Sequence, residues 1–156
     1  MNCLDPASVK EYKVIKSFIK PVNTRGDIIK VRESGRTLAK EAGFSCNDQT
    51  FIATAISEIA RNIIEFANKG EIEIGLVNNN QKHGILITSR DEGPGISDIK
   101  LAMMDGYSTG NGMGIGLPGA KRMMDEFELL SQVDVGTTVT MVKWKNGIYE
   151  NQASYK

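Results

Sequence analysis

The sequence has few of the residues on which metal frameworks and disulfide scaffolds depend. Its 156 residues include two cysteines, Cys3 and Cys46, and a single histidine, His83, and no CxxC pair is present. These counts argue against a zinc site and against a disulfide framework. They are typical of a protein in the reducing cytoplasm, and we expect that localisation.

Long apolar runs and a surplus of one charge are also missing. No stretch of about 18 residues is continuously apolar, and the N-terminus lacks the basic and apolar regions of a secretory signal. The 19 basic and 19 acidic side chains cancel, so no overall field attracts nucleic acid or an anionic membrane. We therefore expect neither as a partner, and any anion site must be local.

The chain has room for one hydrophobic core. About two-fifths of its 156 residues are hydrophobic, which is enough for one domain and too few to expect two. We predict a flexible N-terminus over residues 1–10, a single domain over 11–145 and a polar tail over 146–156.

The spacing of apolar residues predicts a mixed order of strands and helices. Gly43 and Gly70 mark the expected C-terminal ends of the first two helices. The predicted elements are a strand at the sheet edge over 11–22, helices over 26–42 and 47–69, strands over 71–77 and 84–90, helices over 97–104 and 116–126, and two strands within 128–144. This order favours an α+β sandwich in which helices cover one face of a mostly antiparallel sheet.

The long predicted helix carries polar residues beside its apolar stripe. The stripe consists of Ile52, Ile56, Ile59, Ile63 and Phe66. Glu58 and Asn62 are four residues apart, so they share one face, and Glu65 continues it. A carboxylate there can accept a proton or orient a hydroxyl, and an amide oxygen can bind Mg²⁺. Glu and Asn at this spacing are also common on an ordinary solvated helix face.

A second candidate follows the strand that ends near residue 90. In "DEGPG", Asp91 comes where the strand gives way to a turn, and Gly93 and Gly95 permit a flat ligand to approach the backbone. The Asp91 carboxylate could accept the amino group of adenine. The same five residues also suit a tight turn for purely local reasons.

Glycines precede the last predicted helix. Gly112, Gly114 and Gly116 leave N–H groups free at the positive end of the helix dipole, which suits a polyphosphate. A GxGxxG pattern is present here, but no strand leads into it as in a dinucleotide fold, and the chain has no GxxxxGK[ST] phosphate loop. A flexible hinge is the alternative interpretation.

A fourth element, "GTT" at 136–138, is by itself typical of a strand entry. In combination, "ExxxN" at 58–62, "DEGPG" at 91–95, "GMGIGL" at 112–117 and "GTT" resemble the four ATP-site motifs of the gyrase, Hsp90, histidine kinase and MutL (GHKL) superfamily. The resemblance covers about residues 10 to 145. It implies the Bergerat fold, a sandwich with an ATP-binding cavity.

Within that superfamily, "ATAISEIARNI" and "DGYSTGNGMGIGLPGAKRMMDEF" closely resemble the RsbT-type switch-protein kinases of the bacterial stressosome. That resemblance implies an ATP- and Mg²⁺-dependent serine/threonine kinase that phosphorylates STAS-domain partners. It also implies partner switching, in which the released kinase binds and activates a PP2C-type phosphatase.

The resemblance implies a role for each candidate residue. Glu58 would be the general base or the carboxylate that orients the hydroxyl, Asn62 the Mg²⁺ ligand, and Asp91 the acceptor of the adenine amino group. The remaining assignments are Gly93 and Gly95 in the adenine pocket, Gly112, Gly114 and Gly116 at the phosphates, and Thr138 at the adenine end.

One feature of the relatives is missing. Anti-sigma-factor kinases carry a lid arginine just before the glycines that reaches the γ-phosphate, and this chain has "TGNGMG" there. Either Lys121 or Arg122 supplies the charge, or the backbone and Mg²⁺ suffice. For these two side chains we favour the other interpretation, a solvated pair on the exposed helix face.

Two other functions are compatible with the sequence. The chain could be an anti-sigma-factor kinase, or a binding module that holds nucleotide without transferring phosphate. A histidine kinase fits poorly, because His83 lies in the predicted turn between two strands.

Overall fold

A computed structural model of the protein describes residues 12–80, 82–104 and 115–145. Within this part of the chain, five strands, four α-helices and one π-helical turn occur. Their order is β1 (Lys13–Val22), α1 (Arg25–Glu41), α2 (Cys46–Asn62), the π-helical turn (Ile63–Ala67), β2 (Gly70–Asn79), β3 (Lys82–Asp91), α3 (Ile99–Ala102), α4 (Gly116–Met123), β4 (Glu126–Gln132) and β5 (Gly136–Trp144). The predicted termini 1–10 and 146–156 lie outside the described residues.

The strands form one antiparallel sheet in the order β1–β2–β3–β5–β4. One buried cluster joins α1, α2 and α4 to the inward face of β2, β3 and β5. The predicted α+β sandwich, with helices on one face and the first strand at the edge, is therefore confirmed. No helix in the described part of the chain combines the length and the apolar composition needed to span a membrane.

Strand pairing decides which polar residues face the helices. β3 extends one residue beyond its predicted end, so Asp91 is its last residue and pairs with Gly70 and Thr137. Cross-strand partners point to the same face of a sheet. Asp91 and Thr137 therefore both point to the face that the helices cover.

Local capping explains where α1 begins. The Thr24 hydroxyl accepts the N–H of Asp27, and the Asp27 carboxylate accepts the N–H groups of Asn23 and Thr24, which completes a capping box. These donors, the Asn23 N–H first among them, lower the pKa of Asp27. Further along α1, Gly35 packs directly on Ile56 of α2, and the Ile56 side chain would have to move to admit a larger residue.

The predicted helix over 47–69 has two parts. α2 ends at Asn62, and the next five residues form a π-helical turn. Ile52, Ile56 and Ile59 are buried as predicted. The prediction that Phe66 continues this apolar stripe is wrong, because the wider turn shifts the phase of the side chains and leaves Phe66 44% exposed.

The last two predicted helices are shorter than expected. The helix predicted over 97–104 is a single turn, α3, in which the Leu101 N–H donates to the Asp98 side chain. The helix predicted over 116–126 ends at Met123, because the chain turns there to enter β4 at Glu126.

Candidate active site

A cavity of about 350 Å³ lies between the end of α2, the end of β3, α3, the start of α4 and β5. Its size is typical of a small-molecule site. Polar side chains line it together with apolar ones from α2, α3 and β5. The polar lining residues are Glu58, Arg61, Asn62, Glu65, Ser89, Asp91, Ser97, Asp98 and Thr137.

The predicted helix face lies in this cavity. α2 and the following π-helical turn direct Glu58, Asn62 and Glu65 into it. Glu58 is only 7% exposed, and both of its oxygens are engaged. Oε1 accepts a hydrogen bond from Arg61 Nη1 at 2.7 Å, and Oε2 accepts the Gly116 N–H at 3.0 Å. The carboxylate thus lies against the first residue of α4.

Asp91 lines the opposite end of the cavity. Its Oδ1 accepts the N–H of Gly93 at 2.9 Å, which fixes the carboxylate at the strand end. Gly95 lines the cavity with a φ of 78°, and it packs on the backbone of Gln132. Gly93 does not line the cavity and packs instead against Ala67, so its small size permits this close contact.

The threonine that lines the cavity is Thr137 and not the predicted Thr138. Thr137 pairs with Asp91 and lines the cavity, whereas Thr138 pairs with Arg90 and Leu130 on the opposite face. Side chains alternate along a strand, so a shift of one residue exchanges the two faces. The Thr138 side chain therefore points away from this cavity and does not line it.

A short hydrogen-bond chain supports Thr137. Its hydroxyl lies 2.8 Å from the Ser131 hydroxyl, and Ser131 Oγ accepts the N–H of Ile96 at 2.7 Å. This chain joins the β4–β5 hairpin to the loop that follows Asp91. Ser131 has no signal in the sequence, because its role depends on a partner 35 residues away.

Of the three glycines predicted to bind phosphate, one is among the described residues. Gly116 begins α4 and lines the cavity, while Gly112 and Gly114 lie outside the described residues. Lys121 and Arg122 do not line the cavity, and both are exposed in the last turn of α4. Arg61, which none of the sequence motifs singled out, does line it.

The side chains that line the cavity indicate how the expected Mg²⁺ could be held. Among the described residues, no group of three or more His, Cys, Asp or Glu side chains could hold a metal ion. The Asn62 amide lines the cavity. A single amide oxygen fits a Mg²⁺ ion that is bound mainly by substrate phosphates and water, as is usual for this ion.

Comparison with known proteins agrees with this architecture. Residues 47–147 match the family model described as histidine kinase-, DNA gyrase B-, and HSP90-like ATPase. A solved structure of the RsbU and RsbW domains of a Mycobacterium tuberculosis protein superposes with a TM-score of 0.56 at 19% identity. The superposition covers 80% of this chain and 32% of that one, and it shows the shared fold.

Two curated relatives narrow the family. The chain is 50% identical to the serine/threonine-protein kinase RsbT of Bacillus subtilis over 123 residues, which are 79% of this chain and 92% of that protein. It is 31% identical to an anti-sigma F factor of Halalkalibacterium halodurans, over 62% of this chain and 70% of that protein. The chain therefore belongs to the histidine kinase-, DNA gyrase B- and HSP90-like ATPase family and, within it, to the RsbT-type serine/threonine-protein kinases.

Proposed function

We propose that the cavity binds ATP with adenine at Asp91 and the phosphates at the start of α4, and that Glu58 acts on the hydroxyl of a protein substrate. The observation that carries this proposal is the contact between Glu58 and the Gly116 N–H. It brings a buried carboxylate to the positive end of a helix dipole, where a phosphate would bind. A base and a phosphate site thus adjoin in one cavity.

The reaction is a phosphoryl transfer. The substrate serine or threonine oxygen forms a bond to the γ-phosphorus, the bond from that phosphorus to the β,γ-bridging oxygen breaks, and ADP leaves with the electron pair. Glu58 orients the hydroxyl and accepts its proton as the transfer proceeds. The cavity wall positions the two reactants, which is most of what this chemistry needs.

Asn62 is the residue that would hold Mg²⁺. Asn62 lines the cavity one helical turn beyond Glu58, and its amide oxygen is a suitable ligand for this ion. The ion, when bound with ATP, neutralises charge on the phosphates during transfer.

The protein substrates are STAS-domain proteins of a stress-signalling complex, and the released kinase binds and activates a PP2C-type phosphatase. The 50% identity to RsbT supports this partner-switching role. The 31% identity to an anti-sigma F factor supports a second candidate function, a kinase that acts on a sigma-factor regulator.

The test is transfer of labelled phosphate from ATP to a purified STAS-domain partner in the presence of Mg²⁺. We expect label on a serine or threonine of the partner. Glu58→Gln should lower transfer about 10²- to 10⁴-fold, because it removes the base. Its affinity for ATP, measured by calorimetry, should not fall, because the variant loses a negative charge beside the proposed phosphate site.

Glu71→Gln is the matched control. Glu71 is a half-exposed carboxylate that pairs with Arg90 away from the cavity, so its loss should leave transfer unchanged. Full transfer by Glu58→Gln would remove Glu58 from the mechanism. A stable complex with the partner and no label, under conditions where ATP binds, would instead identify a nucleotide-dependent binding module.

A further inference from the structure

The charges around the cavity do not suit a polyanion. Four carboxylates line it, those of Glu58, Glu65, Asp91 and Asp98. Among the described lining residues, Arg61 is the one cationic side chain. A triphosphate that enters this cavity meets mostly like charge, so positive charge close to its terminal phosphate has a large effect on binding.

Arg61 lies where such a charge is needed. It is in the last turn of α2, three residues after Glu58 and next to Asn62. Its Nη1 donates to Glu58 Oε1 at 2.7 Å, and the side chain remains 29% exposed. A guanidinium has five N–H donors in a planar fork. One contact with Glu58 therefore leaves donors for phosphate oxygens on the same side chain.

Two further cationic side chains, on α4, are poorly placed to bind the terminal phosphate. Lys121 and Arg122 are in the last turn of that helix, near the negative end of its dipole, and neither lines the cavity. A cation there stabilises the helix end. Gly116, at the opposite end of the helix, is the residue that contacts Glu58. The phosphate end of the cavity is thus close to Arg61 and about one and a half turns from Lys121.

We propose that Arg61 binds the γ-phosphate of ATP and supplies the charge that relatives take from an arginine in the lid. This inference rests on the proposed function, since it assumes that ATP occupies this cavity. The guanidinium then touches Glu58 on one side and the γ-phosphate on the other. A single side chain holds the base and the group to be transferred at a fixed separation.

The test compares ATP with ADP, which differ in the γ-phosphate. Dissociation constants for both nucleotides are measured by calorimetry, with Mg²⁺, on the wild type, Arg61→Met and Arg61→Lys. Arg61→Met keeps most of the side-chain length and removes the charge. We expect ATP affinity to fall about 10- to 100-fold, as for loss of a charged hydrogen bond, with ADP affinity nearly unchanged. Arg61→Lys should recover part of the preference for ATP.

Arg90→Met is the control. Arg90 also pairs with carboxylates, Glu71 and Glu73, but it lies on the opposite face of the sheet. Its loss should leave both affinities unchanged. Circular dichroism and thermal unfolding confirm that each variant is folded.

The outcomes separate this inference from the proposed function. An equal loss of ATP and ADP affinity in Arg61→Met would overturn the γ-phosphate contact and indicate a structural role. Unchanged affinities would overturn it as well. If the wild type binds neither nucleotide, the proposed function itself fails. If Asp91 variants lose both nucleotides while Arg61 variants lose only the preference for ATP, both proposals are supported.

Discussion

At the Asp91 end of the cavity, paired strands and backbone contacts hold each polar group. Asp91 and Thr137 are cross-strand partners, and Gly95 packs on the backbone of Gln132. At the Glu58 end, by contrast, two side chains of α2 and one backbone N–H of α4 hold one another. Glu58 accepts hydrogen bonds from Arg61 and from the Gly116 N–H. One end is built into the sheet, and the other depends on contacts between separate elements.

This difference predicts how each end responds to a ligand. The Asp91 end is arranged before any ligand binds, because the sheet fixes its geometry. At the Glu58 end, the carboxylate occupies the N–H group that a phosphate would use. In the proposed site, a phosphate that takes this N–H would displace Glu58 from Gly116 and leave the carboxylate available for the substrate hydroxyl. We therefore expect the site for adenine to be rigid. The groups at the Glu58 end should rearrange when a nucleotide binds.

At the Asp91 end of the cavity, Asp91→Asn should have the largest effect on nucleotide binding. The variant keeps the shape of the side chain but presents an amide donor to the adenine amino group, so a charged hydrogen bond is lost. We expect ATP and ADP affinities to fall together, about 10- to 100-fold. Calorimetry with both nucleotides measures this.

Asp91→Asn and Arg61→Met should differ in which nucleotide each variant binds more weakly. Loss of the adenine contact affects both nucleotides, whereas loss of a γ-phosphate contact affects ATP alone. An Asp91→Asn variant that lost only ATP affinity would place the adenine elsewhere. As a control, Glu92→Gln changes the neighbouring, exposed carboxylate and should leave both affinities intact.

The sequence was sufficient to predict the features that depend on local patterns. Alternating apolar residues located the strands, and helical spacing located the buried face of α2, including Ile56. The shared face of Glu58 and Asn62 follows from the period of a helix alone. These predictions needed no knowledge of how distant segments meet.

Features that depend on distant contacts could not be predicted. Thr137 and Thr138 are equivalent until the register of β5 against β3 is known. The importance of Arg61 follows only once α4 is seen to approach α2, through a contact between residues 58 positions apart in the chain. Phe66 was misplaced because apolar spacing does not reveal a π-helical turn.

Gly95→Ala tests whether backbone packing holds the Asp91 end. The residue has a φ of 78°, and an added methyl group would meet the backbone of Gln132. We expect the free energy of unfolding to fall by about 1 to 3 kcal/mol, measured by urea denaturation. Nucleotide affinity should fall with it, because the loop beside Asp91 must shift.

Gly26→Ala provides a control with the opposite expected sign. Gly26 lies in the first turn of α1, and a methyl group there makes only an ordinary contact, 3.7 Å from Thr24 Oγ1. Alanine should stabilise this helix by about 0.5 to 1 kcal/mol. Equal stability of Gly95→Ala and the wild type would mean that the loop is not held by its contact with Gln132.

The smallest expected effect separates two adjacent threonines. Thr137→Val removes a hydroxyl that lies in the cavity and contacts Ser131, and we expect nucleotide affinity to fall about 2- to 10-fold. Thr138→Val makes the same chemical change on the opposite face and should leave affinity unchanged. Valine is as good a strand former as threonine, so neither change should weaken β5. If Thr138→Val alone weakened binding, β5 would pair with β3 one residue out of the observed register, and Asp91 would no longer face the same side as Thr137.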